Sequence, residues 1–119
     1  MPNLQQQIAS AVDAARDDIV IFIQTLVRSP SLANNEGPVQ NIISDKLKSL
    51  GLETEKVPVR FDELKGHPAF NDDGYSPDSR FNVVGNWKSN GKGKSLILNG
   101  HVDVVPTGSL ELWDESPWS

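Results

Sequence analysis

A chain of 119 residues with 37% hydrophobic residues and nine glycines has the length of one ordinary domain with a modest core. A net charge of −5 and a pI near 4.8 leave no basic field to collect phosphate, which argues against nucleic acid as a partner. The absence of cysteine excludes a disulfide scaffold, thiolate metal sites and cysteine nucleophiles.

The opening stretch, "MPNLQQQIASAVDAARDDIVIFIQTLV", has no basic region of the kind that starts an export signal. Its longest apolar run, Ile19 to Ile23, is far too short to cross a bilayer, so a cytoplasmic protein without membrane contact is expected. Apolar residues recur at Leu4, Ile8, Ala11, Val12, Ala15, Ile19, Phe22, Ile23, Leu26 and Val27, a spacing of three and four that predicts one helix packing one stripe. Arg28-Ser29-Pro30-Ser31 ends it, because the residue before a proline is pushed out of helical geometry. A second helix is predicted from Gly37 to Leu50 on the stripe Val39, Ile42, Ile43, Leu47 and Leu50. Asn34 or Asn35 is the expected cap at its start, and Gly51 the left-handed residue past its end.

Leu52 to Val59 alternates as a strand, with Pro58 marking it as an edge. Arg60 to Arg80 is a long connection with room for one helical turn, and loops this long inside a compact domain carry function or mobility. Within it, Asp72-Asp73-Gly74 lacks the alternating acids and distant Glu of a calcium loop, and His67 stands beside Pro68 with no carboxylate at ligand spacing. Phe81 to Trp87 and Lys94 to Val105 are two further strands, joined by the Gly-rich "KSNGKGK" as a hairpin. The whole is predicted to be a single compact unit of mixed α/β class.

The segment "SLILNGHVDVVPTG", residues 95–108, places an imidazole and a carboxylate two apart among valines. On a strand His101 and Asp103 project from one face and Val102 and Val104 from the other. Pro106 and Gly108 stop the strand, so the pair sits at its C-terminal mouth, where open α/β sheets bind ligands. Imidazole is the commonest side-chain metal ligand, and a neighbouring carboxylate can hold it in one tautomer. Taken alone, the triplet fits a satisfied polar pair at a strand end better than a site.

The wider assembly resembles the M20 family of metallopeptidases and deacylases. The likeness rests on "LIL", on the Gly-His-x-Asp-x-Val-Pro core from Gly100 to Pro106, and on Trp113 and Pro117 with Trp118 where Phe is more usual. Upstream, "LVRSPS", the Leu50-Gly51 break and "FNVVGNW" also resemble the family's N-terminal layout, so the likeness spans nearly the whole chain. It implies that residues 1–119 are the N-terminal portion of a zinc-peptidase-like catalytic domain, an α/β fold with a mixed β-sheet flanked by helices. It implies His101 as ligand to one of two zinc ions, with cobalt as a possible substitute, and Asp103 as the catalytic aspartate behind that ligand.

The implied reaction is hydrolysis of an amide bond, with the substrate an N-acyl amino acid such as N-acetylornithine. The long Arg60 to Arg80 insertion and the "NVVG" entry lean toward the acetylornithine deacetylase and succinyl-diaminopimelate desuccinylase branch, with a deformylase of that branch left open. The family's remaining ligands, its general base and its dimerisation domain follow this segment. The reading therefore expects a homodimeric full-length enzyme and an inactive isolated piece. The alternative is a free-standing small α/β binding or interaction module in which His101 and Asp103 merely close a strand.

Overall fold

The computed structural model describes residues 2–119. The chain forms two units rather than one: a helical unit running up to Ser29 together with Thr107–Ser119, and an α/β unit, Pro30–Pro106.

In the helical unit the predicted single helix is two, α1 (Leu4–Ala14) and α2 (Arg16–Val27). The break is confined to Ala15, whose ψ of 0° is off the helical value. Its N–H is shared between the carbonyls of Ala11 and Val12, both at 3.1 Å, the tightening that ends a helical turn. The start of α1 is fixed by reciprocal bonds: the Asn3 side chain accepts from the Gln6 N–H and the Gln6 side chain accepts from the Asn3 N–H, each at 2.9 Å. The stripe expected to pack is largely exposed, at Leu4, Ile8, Val12, Ile19 and Ile23. Near the other end of the chain a single 3-10 turn, Leu110–Leu112, precedes Trp113, whose indole N–H donates to the Thr107 carbonyl at 3.0 Å.

The α/β unit is built on α3 (Gly37–Ser49), which has Pro38 in its first turn, where no N–H is missed. Neither Asn34 nor Asn35 caps it. The N-cap is Glu36, Asn34 takes a left-handed φ of 67°, and the Asn35 side chain donates to the Pro30 carbonyl at 2.7 Å instead. The C-terminal signal holds: Gly51 has φ 82°, its N–H reaches the Lys48 carbonyl at 2.9 Å, and the Leu52 N–H reaches the Leu47 carbonyl at 3.1 Å.

That reversal delivers the chain into β1 (Glu53–Pro58), which pairs antiparallel with β2 (Phe81–Asn86), from Glu53 opposite Asn86 to Pro58 opposite Phe81. Phe81, Val83 and Gly85 of β2 are half-buried and alternate with exposed residues. The helix α3 packs on both strands, burying Val39 and Ser44. A Cβ at Gly85 would come within 3.0 Å of methyl carbons of Leu47 on α3 and of Leu52 just after it, so glycine here makes room for both side chains against β2. The connection from Val59 to Arg80 includes the one helical turn anticipated for it, α4 (Phe61–Leu64), with Phe61 edge-on to Phe70.

Among the described residues the sheet has two antiparallel strands, an α/β arrangement compatible with the expected class but without the parallel pairing a mixed sheet contains. Lys94 to Val105 is not a strand, and β2 pairs backward with β1 instead of forward in a hairpin. The near-continuous apolar run Leu96-Ile97-Leu98 is the pattern of a strand covered on both faces, and a two-stranded sheet with one helix offers no such place. Those three side chains are exposed. Among the described residues no helix is long and apolar enough to cross a membrane.

Candidate active site

The segment carrying His101 and Asp103 has no ladder partner, yet it is tied to the rest of the α/β unit at one point. The Ser31 hydroxyl donates to the Val102 carbonyl at 2.6 Å, and the Val104 N–H donates to the Ser31 carbonyl at 3.0 Å. Ser31 is 4% exposed, one of few buried polar residues.

The two side chains converge as their spacing predicts. His101 Nδ1 lies 3.1 Å from Asp103 Oδ1 and 3.1 Å from the Asp103 carbonyl oxygen. Both neighbours are acceptors only, so in the neutral ring Nδ1 carries the proton and Nε2 keeps its lone pair. That is the state in which an imidazole binds a metal through Nε2 while a carboxylate fixes its other nitrogen. Both side chains are well exposed, 83% for His101 and 60% for Asp103, on a segment that does not form the strand anticipated for it.

They line a cavity of about 430 Å³ with Glu36, Gln40, Arg80, Asn82 and Asn99. Arg80 is held there by two carboxylates, Asp73 at 2.6 Å and Glu36 at 3.8 Å. The Arg80 guanidinium, and after it the Tyr75 N–H, hold the Asp73 carboxyl below the usual range for an aspartate. A second cavity of about 260 Å³ lies under the long connection, walled by Val59, Phe61, Leu64 and Phe70 with His67, Asn71, Asp73 and Arg80. His67, given no role from sequence, thus borders a pocket, with its Nδ1 accepting from the Ala69 N–H at 3.1 Å. The carboxylates of Asp72 and Asp73 accept from the Gly74 and Tyr75 N–H groups, at 2.9 and 3.1 Å.

Among the described residues no three His, Cys, Asp or Glu side chains gather to hold a metal ion. A catalytic zinc takes three protein ligands and a water, so this donor set fits one ligand, the His101 Nε2, and does not complete a centre. Sequence spacing predicts the approach of His101 to Asp103, whereas no spacing predicts that Arg80 and Glu36 line the same cavity or that Ser31 bonds this segment. The one local signal for Ser31 was its place directly after the helix-ending Pro30.

No family model matches the chain. It is 33% identical over 103 residues to the succinyl-diaminopimelate desuccinylase of Hydrogenovibrio crunogenus, a match covering 86% of this chain and 22% of that protein. It is 31% identical over 103 residues to the enzyme of the same name from Blochmanniella floridana, covering 87% of this chain and 23% of the relative. With that of Polynucleobacter necessarius it shares 29% over 101 residues, covering 81% and 22%. The chain thus spans between a fifth and a quarter of the length of these curated relatives.

Proposed function

We propose, for a chain related in sequence to the M20 metallopeptidases and deacylases, that the whole protein hydrolyses the amide bond of an N-acyl amino acid in the cytoplasm. The observation that carries this reading is the His101 ring, fixed through Nδ1–H on Asp103 with Nε2 left free, beside a polar cavity. A run of similarity to enzymes named as desuccinylases supports it over a free-standing binding module.

In this reading His101 is one ligand of a zinc centre whose other ligands lie outside this chain. His101 would hold such an ion through Nε2, and the ion would supply Lewis acidity toward an acyl carbonyl and a more acidic water, neither of which a neutral amide and water have alone. Asp103 keeps the ring in the ligating tautomer and orientation. Arg80, Asn82 and Asn99 supply hydrogen-bond donors to a cavity that accepts a charged, polar substrate. Between the two acyl groups that the branch handles, the names of the relatives favour succinyl over acetyl.

The test is hydrolysis of N-succinyl-diaminopimelate and of N-acetylornithine by the whole protein, with zinc and after chelation. His101→Ala is expected to abolish turnover, and Asp103→Asn to lower zinc affinity or activity about 10- to 100-fold, the usual cost of losing a partner behind a metal ligand. Full activity in both variants would overturn the reading. Preference for the acetyl substrate would overturn its choice of acyl group.

A further inference from the structure

We propose that Ser31 is the positioning residue of the His101–Asp103 pair, bonding the segment in the manner of one residue of a parallel strand. In a parallel pair, one residue donates its N–H to the carbonyl before its opposite number and accepts from the N–H after it. Ser31 makes that pattern around Asp103: it donates to the carbonyl of Val102 and accepts from the N–H of Val104. The difference is that the donor is the side-chain hydroxyl.

The consequence falls on the site because of where the two bonds land. Val102 is the residue between His101 and Asp103, and Val104 follows, so both bonds lie on one edge of the segment. Fixing the Val102 carbonyl and the Val104 N–H sets the backbone orientation at Asp103. That orientation decides whether the Asp103 carbonyl and carboxylate both stay within 3.1 Å of His101 Nδ1.

Ser31 can serve as a fixed point because it is itself braced. The Asn35 side chain donates to the Pro30 carbonyl at 2.7 Å, and the Asn35 N–H closes a turn on the Leu32 carbonyl at 2.8 Å. Neighbouring Leu96 to Leu98 have no such tie and are exposed. Threonine keeps the hydroxyl at this position and alanine removes it with almost no change in volume. The value of this positioning to catalysis rests on the reading of His101 as a metal ligand, whereas its effect on the ring does not.

The ring itself is the readout. In the 119-residue chain, the nitrogen-15 pattern of the His101 ring, recorded near pH ~8.5 where an ordinary histidine is neutral, reports which nitrogen holds the proton. The wild-type chain is expected to show the Nδ1–H form in excess. Ser31→Ala is expected to lower the ratio of Nδ1–H to Nε2–H about fivefold, the worth of one hydrogen bond, and Ser31→Thr to restore it.

A Ser31→Ala chain that melts earlier but keeps the wild-type ratio would show a merely structural serine and overturn the proposal. So would a Ser31→Thr chain that folds and loses the Nδ1–H form. Should Ser31→Ala fail to fold, hydrogen exchange in the wild-type chain decides: the Val104 amide must exchange more slowly than the Leu98 amide, and equal rates overturn the proposal. None of these readouts depends on hydrolysis, so failure of the deacylase reading leaves them standing and is separately visible.

Discussion

Arg80 joins two carboxylates from different parts of the α/β unit, Glu36 at the start of α3 and Asp73 in the long connection, and it borders both cavities. The Asp73 carboxyl is held below its ordinary value in the folded chain, so the contact adds stability that is present above the unfolded value of about 3.9. That stability is lost as the pH falls through the lower, folded value. Urea midpoints between pH 5 and pH 3 should therefore fall more for the wild-type chain than for Asp73→Asn, and equal falls would show that the pair contributes nothing. Arg80→Lys should lie between the two, since a lysine ammonium keeps the charge beside Asp73, and the Tyr75 N–H still bonds that carboxylate, but cannot span two carboxylates as a guanidinium does. The convergence of His101 on Asp103 was legible in the sequence because residues two apart on an extended segment share a face. Arg80 and Ser31 were not legible in this way. Ser31 finds its partner 71 positions away, and no local spacing encodes a contact of that separation.

The elements follow the same division between local and distant information. The helix α3 and its end were readable because the stripe from Val39 to Leu47 and the glycine after Leu50 act within a few residues of themselves. Gly51 at φ 82° is the sharpest case, since an L side chain in that left-handed conformation costs about 1–2 kcal/mol. Gly51→Ala should lower the stability of the α/β unit by about that amount in chemical denaturation followed by circular dichroism, and Gly51→Asn by less. An Ala variant as stable as wild type would mean that the left-handed turn does not set the direction of β1. Strand pairing departs from the local pattern for a physical reason. The short Gly-rich run after Trp87 made a hairpin look cheap to close, but pairing is settled by what covers the paired faces. β1 and β2 both lie against α3, through Gly85 among other residues, and that shared cover outweighs the entropy of closing the long connection between them.

At the scale of the molecule the consequence is an apolar segment with no partner. Leu96, Ile97 and Leu98 are 82%, 87% and 88% exposed, in a stretch that forms neither helix nor strand. A run of β-favouring apolar side chains with free backbone N–H and C=O groups is a template for pairing with another chain. The exposed stripe of α1 and α2 is a competing source of association, but its backbone is already bonded within the helices and can add only side-chain contact. The two sources separate by substitution. Ile97→Lys places a charge in the unpaired run and should markedly lower concentration-dependent association in sedimentation or light scattering, with a gain in amide exchange across residues 96–98 in the associated state. Ile8→Lys on α1 should lower association less. The reverse order would place the association on the helical stripe and remove the argument that residues 96–98 seek a strand partner. If Ile97→Lys acts as expected without changing the urea midpoint of the α/β unit, the run serves no purpose in the fold of this chain. Its apolar character is then explained by a strand partner that the α/β unit itself does not supply.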